Sequence, residues 1–159
     1  MPDENLEMLN KLAGQATVIV GIGNTLKGDD AVGPLVCRRL SRCKIAADLL
    51  DAGTVPENYI QRIIKKAPQN LLVIDAIDFG DSPGTIRIFR PEQLAAGSIS
   101  THTLSPFVFV DMIRQSTPAQ AYFIGIQPAH LKLGEPVSRE IHRSVKRLCR
   151  LLMDIFGRQ

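Results

Sequence analysis

Short apolar runs recur along the chain, and most of them are rich in β-branched residues. Each run is bounded by Gly, Pro, Asn or Asp, as is typical of strands. Four of the runs are apolar almost throughout, which favours a largely parallel sheet with helices on both faces. The run "TIRIF" alternates instead and predicts an antiparallel edge strand. The five predicted strands are residues 16–22, 46–52, 70–77, 84–89 and 121–126.

Between these runs the apolar residues recur with the spacing of amphipathic helices. The predicted apolar faces are Val32, Leu35, Val36 and Leu40; Tyr59, Ile60, Ile63 and Ile64; Leu104, Phe107 and Val108; and Ile141, Val145, Leu148 and Leu152. Leu6, Leu9 and Leu12 indicate a short N-terminal helix as well. This alternation predicts an α/β fold, a three-layer αβα sandwich with a mostly parallel five-stranded sheet.

Length and charge narrow the class of protein. With 159 residues the chain is expected to form a single domain, 1–159, with residues 1–15 as an N-terminal extension. A formal net charge of +3 gives no general affinity for nucleic acid. No apolar run is long enough to span a membrane and the acidic N-terminus is unlike a signal peptide, so a soluble cytoplasmic protein is expected. The three cysteines include no C-x-x-C pair, and we expect ordinary thiols.

The stretch "GNTLKGDD", residues 23–30, follows the first predicted strand and leads into the first helix of the α/β unit. Its glycines have the spacing of a phosphate-binding loop, but Asp29 and Asp30 stand where that loop has lysine and a hydroxyl. Against the dinucleotide fingerprint, Gly21 and Gly23 match, whereas the third glycine position is Leu26. Both nucleotide interpretations are therefore weak.

Two acid pairs leave predicted strands at the edge where α/β proteins bind ligands. In the first, Asp29 and Asp30, one carboxylate is expected to cap the following helix, although two exceed what a cap needs. The second is Asp75 and Asp78 in "VIDAID". A carboxylate at the end of a buried strand is costly to desolvate unless it is paired, hydrogen-bonded or metal-bound, so a satisfied structural role for Asp75 stays open.

A histidine completes this set. Ser105-Pro106 has the pattern of an N-cap followed by a first-turn proline, which places His102 in a loop just before a helix. Two carboxylates and an imidazole, from Asp30, Asp75 and His102, suit a divalent transition metal with open positions. The alternative for a lone loop histidine is a surface role, which we also expect of His130 and His142. Neither a serine-hydrolase nucleophile elbow nor a zincin site is predicted.

Five ordered motifs resemble the [NiFe]-hydrogenase maturation endopeptidases, in particular the hydrogenase 3 (formate hydrogenlyase) type. They are "GIGNTLKGDDAVGP", "LLDAGTVPEN", "LLVIDAIDFGDSPGTIRI", "STHTLSP" and "FIGIQP", and the resemblance runs from about residue 17 to 155. It implies a cytoplasmic protease that removes a C-terminal extension from the hydrogenase large-subunit precursor after nickel insertion. The first 15 residues lie outside it.

The resemblance also implies which residues meet the metal. Its metal-contacting positions fall on Asp30, Asp75 and His102, which we take as both catalytic and metal-binding. Many family members have glutamate at the first of these positions, and a glycine often found after the acid pair is Ala31 here. We expect nickel to be carried by the substrate rather than bound tightly by the free enzyme, because three ligands without a thiolate make a weak site. A metal that polarises the scissile carbonyl, one that activates a water and one used only for recognition all remain open.

Two other classes of function remain. One is a non-catalytic, metal-sensing chaperone for a metalloenzyme precursor, and the other is a Rossmann-like nucleotide-binding enzyme. The basic face of the last predicted helix is either a dock for an acidic partner or simply a solvated surface. It consists of Arg139, Arg143, Lys146, Arg147 and Arg150.

Overall fold

The structure, a computed structural model, describes residues 3–95, 100–101 and 106–157. A twisted sheet forms its centre, with the strand order β2-β1-β3-β6-β4. Strands β1, β2, β3 and β6 are parallel, and β4 pairs antiparallel with β6 at one edge, as the alternation in "TIRIF" predicts. The strands are β1 (Thr17–Ile22), β2 (Asp48–Gly53), β3 (Asn70–Asp78), β4 (Ile86–Phe89), a two-residue β5 (Ser100–Thr101) and β6 (Gln120–Ile126).

Helices cover both faces of the sheet, which confirms the three-layer αβα prediction. They are α1 (Asp3–Asn10), α2 (Val32–Leu40), α3 (Ile60–Lys66), α4 (Pro91–Ala95), α5 (Pro106–Ser116) and α6 (Arg139–Phe156). Short 3-10 turns at Gly28–Ala31 and Pro56–Tyr59 precede α2 and α3. Among the described residues, no helix combines the length and the apolar character needed to cross a bilayer.

Alternate residues of β1, β3 and β6 pack into two separate apolar cores, one on each face of the sheet. Leu72 and Ile74 of β3 pack in the core covered by α1, α2 and α6, and Leu71 and Val73 pack in the core covered by α3 and α5. This is the pattern expected of a strand buried on both faces. The central strands therefore hold the residues at their carboxyl ends in a rigid frame.

The N-terminal extension contributes to the core. Leu9 and Leu12 are buried in the same cluster as α2 and α6, so this part of the N-terminal extension packs against the domain. Burial of two leucines at about 1.5–3 kcal/mol each is a substantial fraction of a domain's net stability.

Several sequence predictions were wrong in detail. Val108 was expected on the buried face of α5, but it is 55% exposed, because the buried face is formed by Phe109, Val110 and Ile113. Strand β2 was expected to be buried throughout, yet it lies at the sheet edge and Asp48 is exposed. Helix α4 and strand β5 were not predicted, since both are too short to show a period.

Candidate functional site

The loop after β1 folds back on itself at the carboxyl edge of the sheet. Gly23 has a φ of +145°, and a Cβ there would collide with the carbonyl oxygen of Asp30. The reversal leads into the turn Gly28–Ala31, which packs against β3. Glycine is needed at this position because no other residue combines that φ with such close backbone approach. The reversal places Asp29 and Asp30 beside the central strand.

Asp30 is a buried carboxylate with only part of its hydrogen-bonding capacity used. Its side chain is 3% exposed, and Oδ2 accepts a hydrogen bond of 2.8 Å from the backbone N–H of Asn24. Its Oδ1 is buried and has no hydrogen-bond partner among the described residues. A buried, partly satisfied anion is costly unless a cation or donor completes it. The Oδ1 oxygen therefore suits coordination of a cation.

Asp29 differs from its neighbour because its carboxylate is saturated. It is fully buried, and Oδ2 accepts from the backbone of Ala129 at 2.7 Å and from the hydroxyl of Ser138 at 2.9 Å. Oδ1 accepts from the backbone N–H of Ser138 at 2.7 Å. The side chain thereby fastens the turn after β1 to the segment 129–138.

The expectation that Asp29 or Asp30 caps the following helix was wrong. The N-cap of the turn Gly28–Ala31 is Lys27 and that of α2 is Ala31, and neither has a side-chain cap. The chain enters α2 through a 3-10 turn, so the carboxylates point elsewhere. Asp29 instead supports the N-cap of α6, Ser138, whose hydroxyl accepts from the backbone of Ile141.

Asp75 lies near the end of the central strand β3. It is 1% exposed and its register partner in β6 is Gly125, while Ile74 pairs with Gly21 of β1. The turn that carries Asp30 packs against this strand. The structure therefore places Asp30 and Asp75 on adjoining elements at one edge of the sheet, as parallel strands require.

His102 lies outside the described residues. The two residues before it form β5, in which Thr101 pairs with Ile77 and Ser100 with Asp78 at the end of β3. The chain therefore runs alongside the strand of Asp75 immediately before it reaches position 102. Across residues 3–95, 100–101 and 106–157, no three His, Cys, Asp or Glu side chains are grouped to hold a metal.

The other two histidines differ in their surroundings. His142 is exposed on α6, as expected for a surface residue. His130 is half-buried over Gly28, and its Nδ1 lies 3.0 Å from Glu135 Oε2. Its backbone carbonyl accepts from the N–H of Asp29 at 3.1 Å. His130 thus packs against the turn that carries the acid pair, which differs from the surface role expected for it.

Sequence reasoning missed Gln127, the glutamine of "FIGIQP". Its side chain is buried, its Oε1 accepts from the backbone of Phe79 at 2.9 Å, and its Nε2 donates to Asp78 Oδ1 at 3.0 Å. It fixes the loop that leaves β3. In the sequence, the signal available was a polar residue, glutamine, directly after the end of a predicted strand.

Ser82, in the loop after β3, lies in a short sequence that matches the motif of serine hydrolases. Residues 80–84, "GDSPG", match G-x-S-x-G, but β4 follows them instead of a helix, and Ser82 is exposed. The strand–turn–helix context of a nucleophile elbow is absent from this segment, which the structure describes in full. No serine-hydrolase site is therefore assigned to Ser82.

The buried thiols are poor nucleophiles. Burial, together with the charge of Asp51, raises the pKa of Cys37 to about 12, and burial raises the pKa of Cys149 to about 11. The thiolate is the reactive form of cysteine, so both side chains are inert at neutral pH. This agrees with the prediction of ordinary thiols on helices.

Comparison with known proteins identifies relatives over most of the chain. The sequence profile of the hydrogenase maturation protease family, HycI, matches residues 35–155. A putative hydrogenase maturation protease of Methanocaldococcus jannaschii is 32% identical over 158 residues, covering 93% of each chain. The hydrogenase 3 maturation protease of Escherichia coli K12 is 32% identical over 134 residues, covering 81% of this chain and 83% of that one.

Similar solved structures belong to hydrogenase maturation proteases as well. The [NiFe] hydrogenase maturation protease HycI from Thermococcus kodakarensis KOD1 superposes with a TM-score of 0.86 at 32% identity, covering 96% of this chain and 99% of that one. The hydrogenase maturating endopeptidase HybD from E. coli superposes with a TM-score of 0.73 at 22% identity, covering 87% and 90%. At that identity the second likeness concerns the fold alone.

Proposed function

Because the chain belongs to the hydrogenase maturation protease family, we propose that it removes the C-terminal extension of a [NiFe]-hydrogenase large-subunit precursor once nickel has been inserted. The protein is a peptidase, as its family is. The proposed reaction is endoproteolytic cleavage, the partner is the precursor, and the proposed compartment is the cytoplasm. We take residues 1–159 as a single endopeptidase domain.

The observation that carries the proposal is the buried, incompletely satisfied carboxylate of Asp30. Its Oδ1 is buried without a hydrogen-bond partner among the described residues, on a turn that packs against β3, the strand of Asp75. Oxygen and imidazole ligands from Asp30, Asp75 and His102 suit a divalent ion held largely by other ligands. The three side chains would recognise nickel carried by the substrate and position the adjacent peptide for cleavage.

Nickel on the substrate makes cleavage conditional on correct loading. Three protein ligands without a thiolate bind a free ion weakly, and His102 must be neutral to ligate. An ion already fixed in the precursor needs only these additional contacts. Elemental analysis of protein purified without added metal should therefore find far less than one metal per chain, and nickel that survives chelation would contradict this.

The experiment that tests the proposal is incubation of the purified protein with nickel-loaded large-subunit precursor, followed by mass spectrometry of both products. We expect a single cut near the C-terminus and release of a short peptide. A precursor that is bound but keeps its full mass would contradict the proposal and indicate the metal-sensing chaperone instead. Titration with ATP and with NAD, monitored by calorimetry, tests the nucleotide-binding alternative, for which we expect no heat of binding.

A further inference from the structure

Two leucines beside the acid pair are more exposed than any other large apolar side chain in the part of the chain that the structure describes. Leu26 is 67% exposed and Leu133 is 70% exposed. They lie on loops that follow different strands, β1 and β6, more than a hundred positions apart in sequence. Loops at the ligand-binding edge of a sheet disproportionately carry binding residues, which makes these two side chains candidates for contact with a partner.

The two loops are joined directly. The backbone N–H of Gly134 donates to the carbonyl oxygen of Leu26 at 2.8 Å, and Gly134 has a φ of +81° that suits glycine. The exposed leucines therefore belong to neighbouring segments fastened at one point. We call Leu26 and Leu133 the leucine lip.

Each half of the lip is tied to one member of the acid pair. On the first loop, the side chain of Asn24 accepts from the N–H of Leu26 at 2.9 Å, and the N–H of Asn24 donates to Asp30 Oδ2. On the second loop, Asp29 Oδ2 accepts from the N–H groups of Ala129 and His130. The lip is therefore held in a fixed position relative to the carboxylates proposed to meet nickel.

We propose that the leucine lip docks an apolar segment of the precursor polypeptide beside the cleavage site. The proposal rests on the proposed function, and it assigns that site a specificity surface. A stable dimer of this chain would bury about 800 Å² per partner, far more than two leucines supply, whereas an extended precursor segment bound for cleavage needs only a local contact here. Hydrogen bonds through Asn24 join Leu26 to Asp30, so a precursor segment bound at the proposed cleavage site lies close to the lip.

Docking of this kind contributes to binding and leaves the chemical step largely unchanged. An interaction made equally in the bound substrate and the transition state lowers KM without raising kcat. Removal of one leucine contact of this size weakens binding by about tenfold. Loss of both should therefore raise KM much more than it lowers the rate at saturating precursor.

The test compares Leu26→Ser, Leu133→Ser and the double variant with wild-type protein on nickel-loaded precursor. Leu6→Ser is the matched control, because Leu6 is also an exposed leucine but lies on α1, away from the acid pair. We expect KM to rise about tenfold in each single variant and further in the double variant, with the saturating rate within about twofold. Leu6→Ser should leave KM unchanged, and Leu26→Met with Leu133→Met should restore it.

Direct binding and light scattering separate the other outcomes. Precursor affinity is measured by interferometry for the same proteins, so the lip is tested even if no cleavage occurs. An unchanged KM and affinity in the double variant overturn the proposal. A double variant that alters only the self-association of the enzyme overturns it as well. A wild-type protein that binds precursor through the lip without cutting it leaves the lip supported and refutes the proposed function.

Discussion

The polar side chains at the two ends of the parallel strands differ in charge and in how they are hydrogen-bonded. At the amino ends of β1 and β3 the polar side chains include neutral amides with hydrogen-bond partners: Asn70, which is buried, and Gln15 and Gln69, which are exposed. Asn70 is 2% exposed, its Nδ2 donates to Gln15 Oε1 at 2.9 Å, and Gln69 Oε1 accepts from the backbone of Ala16 at 3.0 Å. Neutral amides with partners cost little to bury. This end of the sheet needs no ligand to explain it.

At the carboxyl ends the buried polar side chains include three carboxylates, those of Asp29, Asp30 and Asp75. Among the described residues, neither Asp29 nor Asp30 forms an ion pair with any cationic side chain. Asp29 is compensated by backbone and hydroxyl donors, whereas within residues 3–95, 100–101 and 106–157 Asp30 has one donor and its Oδ1 has none. A buried charge is expensive even when it is solvated by hydrogen bonds. The contrast supports the proposal that the carboxyl end of the sheet meets a cationic ligand, whereas the amino end contributes to stability.

The largest effect is expected from the proposed ligands. Asp30→Ala, Asp75→Ala and His102→Ala should each reduce precursor processing by at least about a hundredfold, because loss of even a hydrogen-bond partner of a metal ligand typically costs about 10- to 100-fold. Folding should survive, as judged by circular dichroism. Asp78→Ala is the control and should have a milder effect, since Asp78 bonds to Gln127. Wild-type rates in all three ligand variants would refute the site assignment.

Asp29→Ala should be costly to stability as well as to activity. It leaves buried N–H groups of the 129–138 segment without an acceptor, and we expect the free energy of unfolding to fall by about 3 kcal/mol. Ser138→Ala removes the α6 cap and should cost only about 1 kcal/mol. Urea titration of both variants measures the difference. Equal losses in the two would show that the carboxylate does not hold the segment.

Asn70→Ala provides the matching change at the amino end of the sheet. It removes one neutral hydrogen bond to Gln15, so the free energy of unfolding should fall by about 1 kcal/mol. Precursor processing should stay within about twofold of wild type, because Asn70 lies at the opposite end of β3 from the proposed site and its loss changes only stability. A large loss of processing with an unchanged stability would erase the distinction between the two ends.

Ionisation of the buried thiols should lower the free energy of unfolding only at high pH. The folded pKa values of Cys37 and Cys149 lie near 12 and 11, above the ordinary value of 9.0. Unfolded thiols lose protons first as pH rises, so the contribution is complete below about pH 9 and is lost toward the folded values. A Cys37→Ala/Cys149→Ala variant should lose stability less steeply between pH 9 and about 10.5.

Chemical modification tests the same thiols at neutral pH. Iodoacetamide at pH about 7.5 should leave processing unchanged, because protonated thiols react slowly. Stoichiometric inactivation through one cysteine of the folded protein would contradict their inert role.

The layer architecture could be predicted because, along most of the chain, the spacing of apolar residues in the sequence matches the side chains that are buried in the structure. Continuous apolar runs such as that of β3, bounded by polar residues, define a strand buried on both faces. The antiparallel β4 was equally clear from its alternation. The errors fall where the period is ambiguous, as in α5, whose apolar residues allow two faces, and at edge strand β2.

The site could be predicted only in part. The sequence indicated which carboxylates lie at the strand ends, because parallel strands share one edge. It could not indicate how adjacent acids divide their roles. Asp29 is held by Ala129 and Ser138, about a hundred positions away, and only the folded chain brings these donors to it. The same holds for the leucine lip, which joins loops remote in sequence.

The central claim is that the carboxyl end of the sheet recognises nickel in the precursor. The most direct test incubates the protein with nickel-loaded and nickel-free precursor under identical conditions and compares the product masses. We predict that only the nickel-loaded precursor loses its C-terminal peptide, and that Asp30→Ala abolishes this loss. Efficient cleavage of the nickel-free precursor would contradict the account.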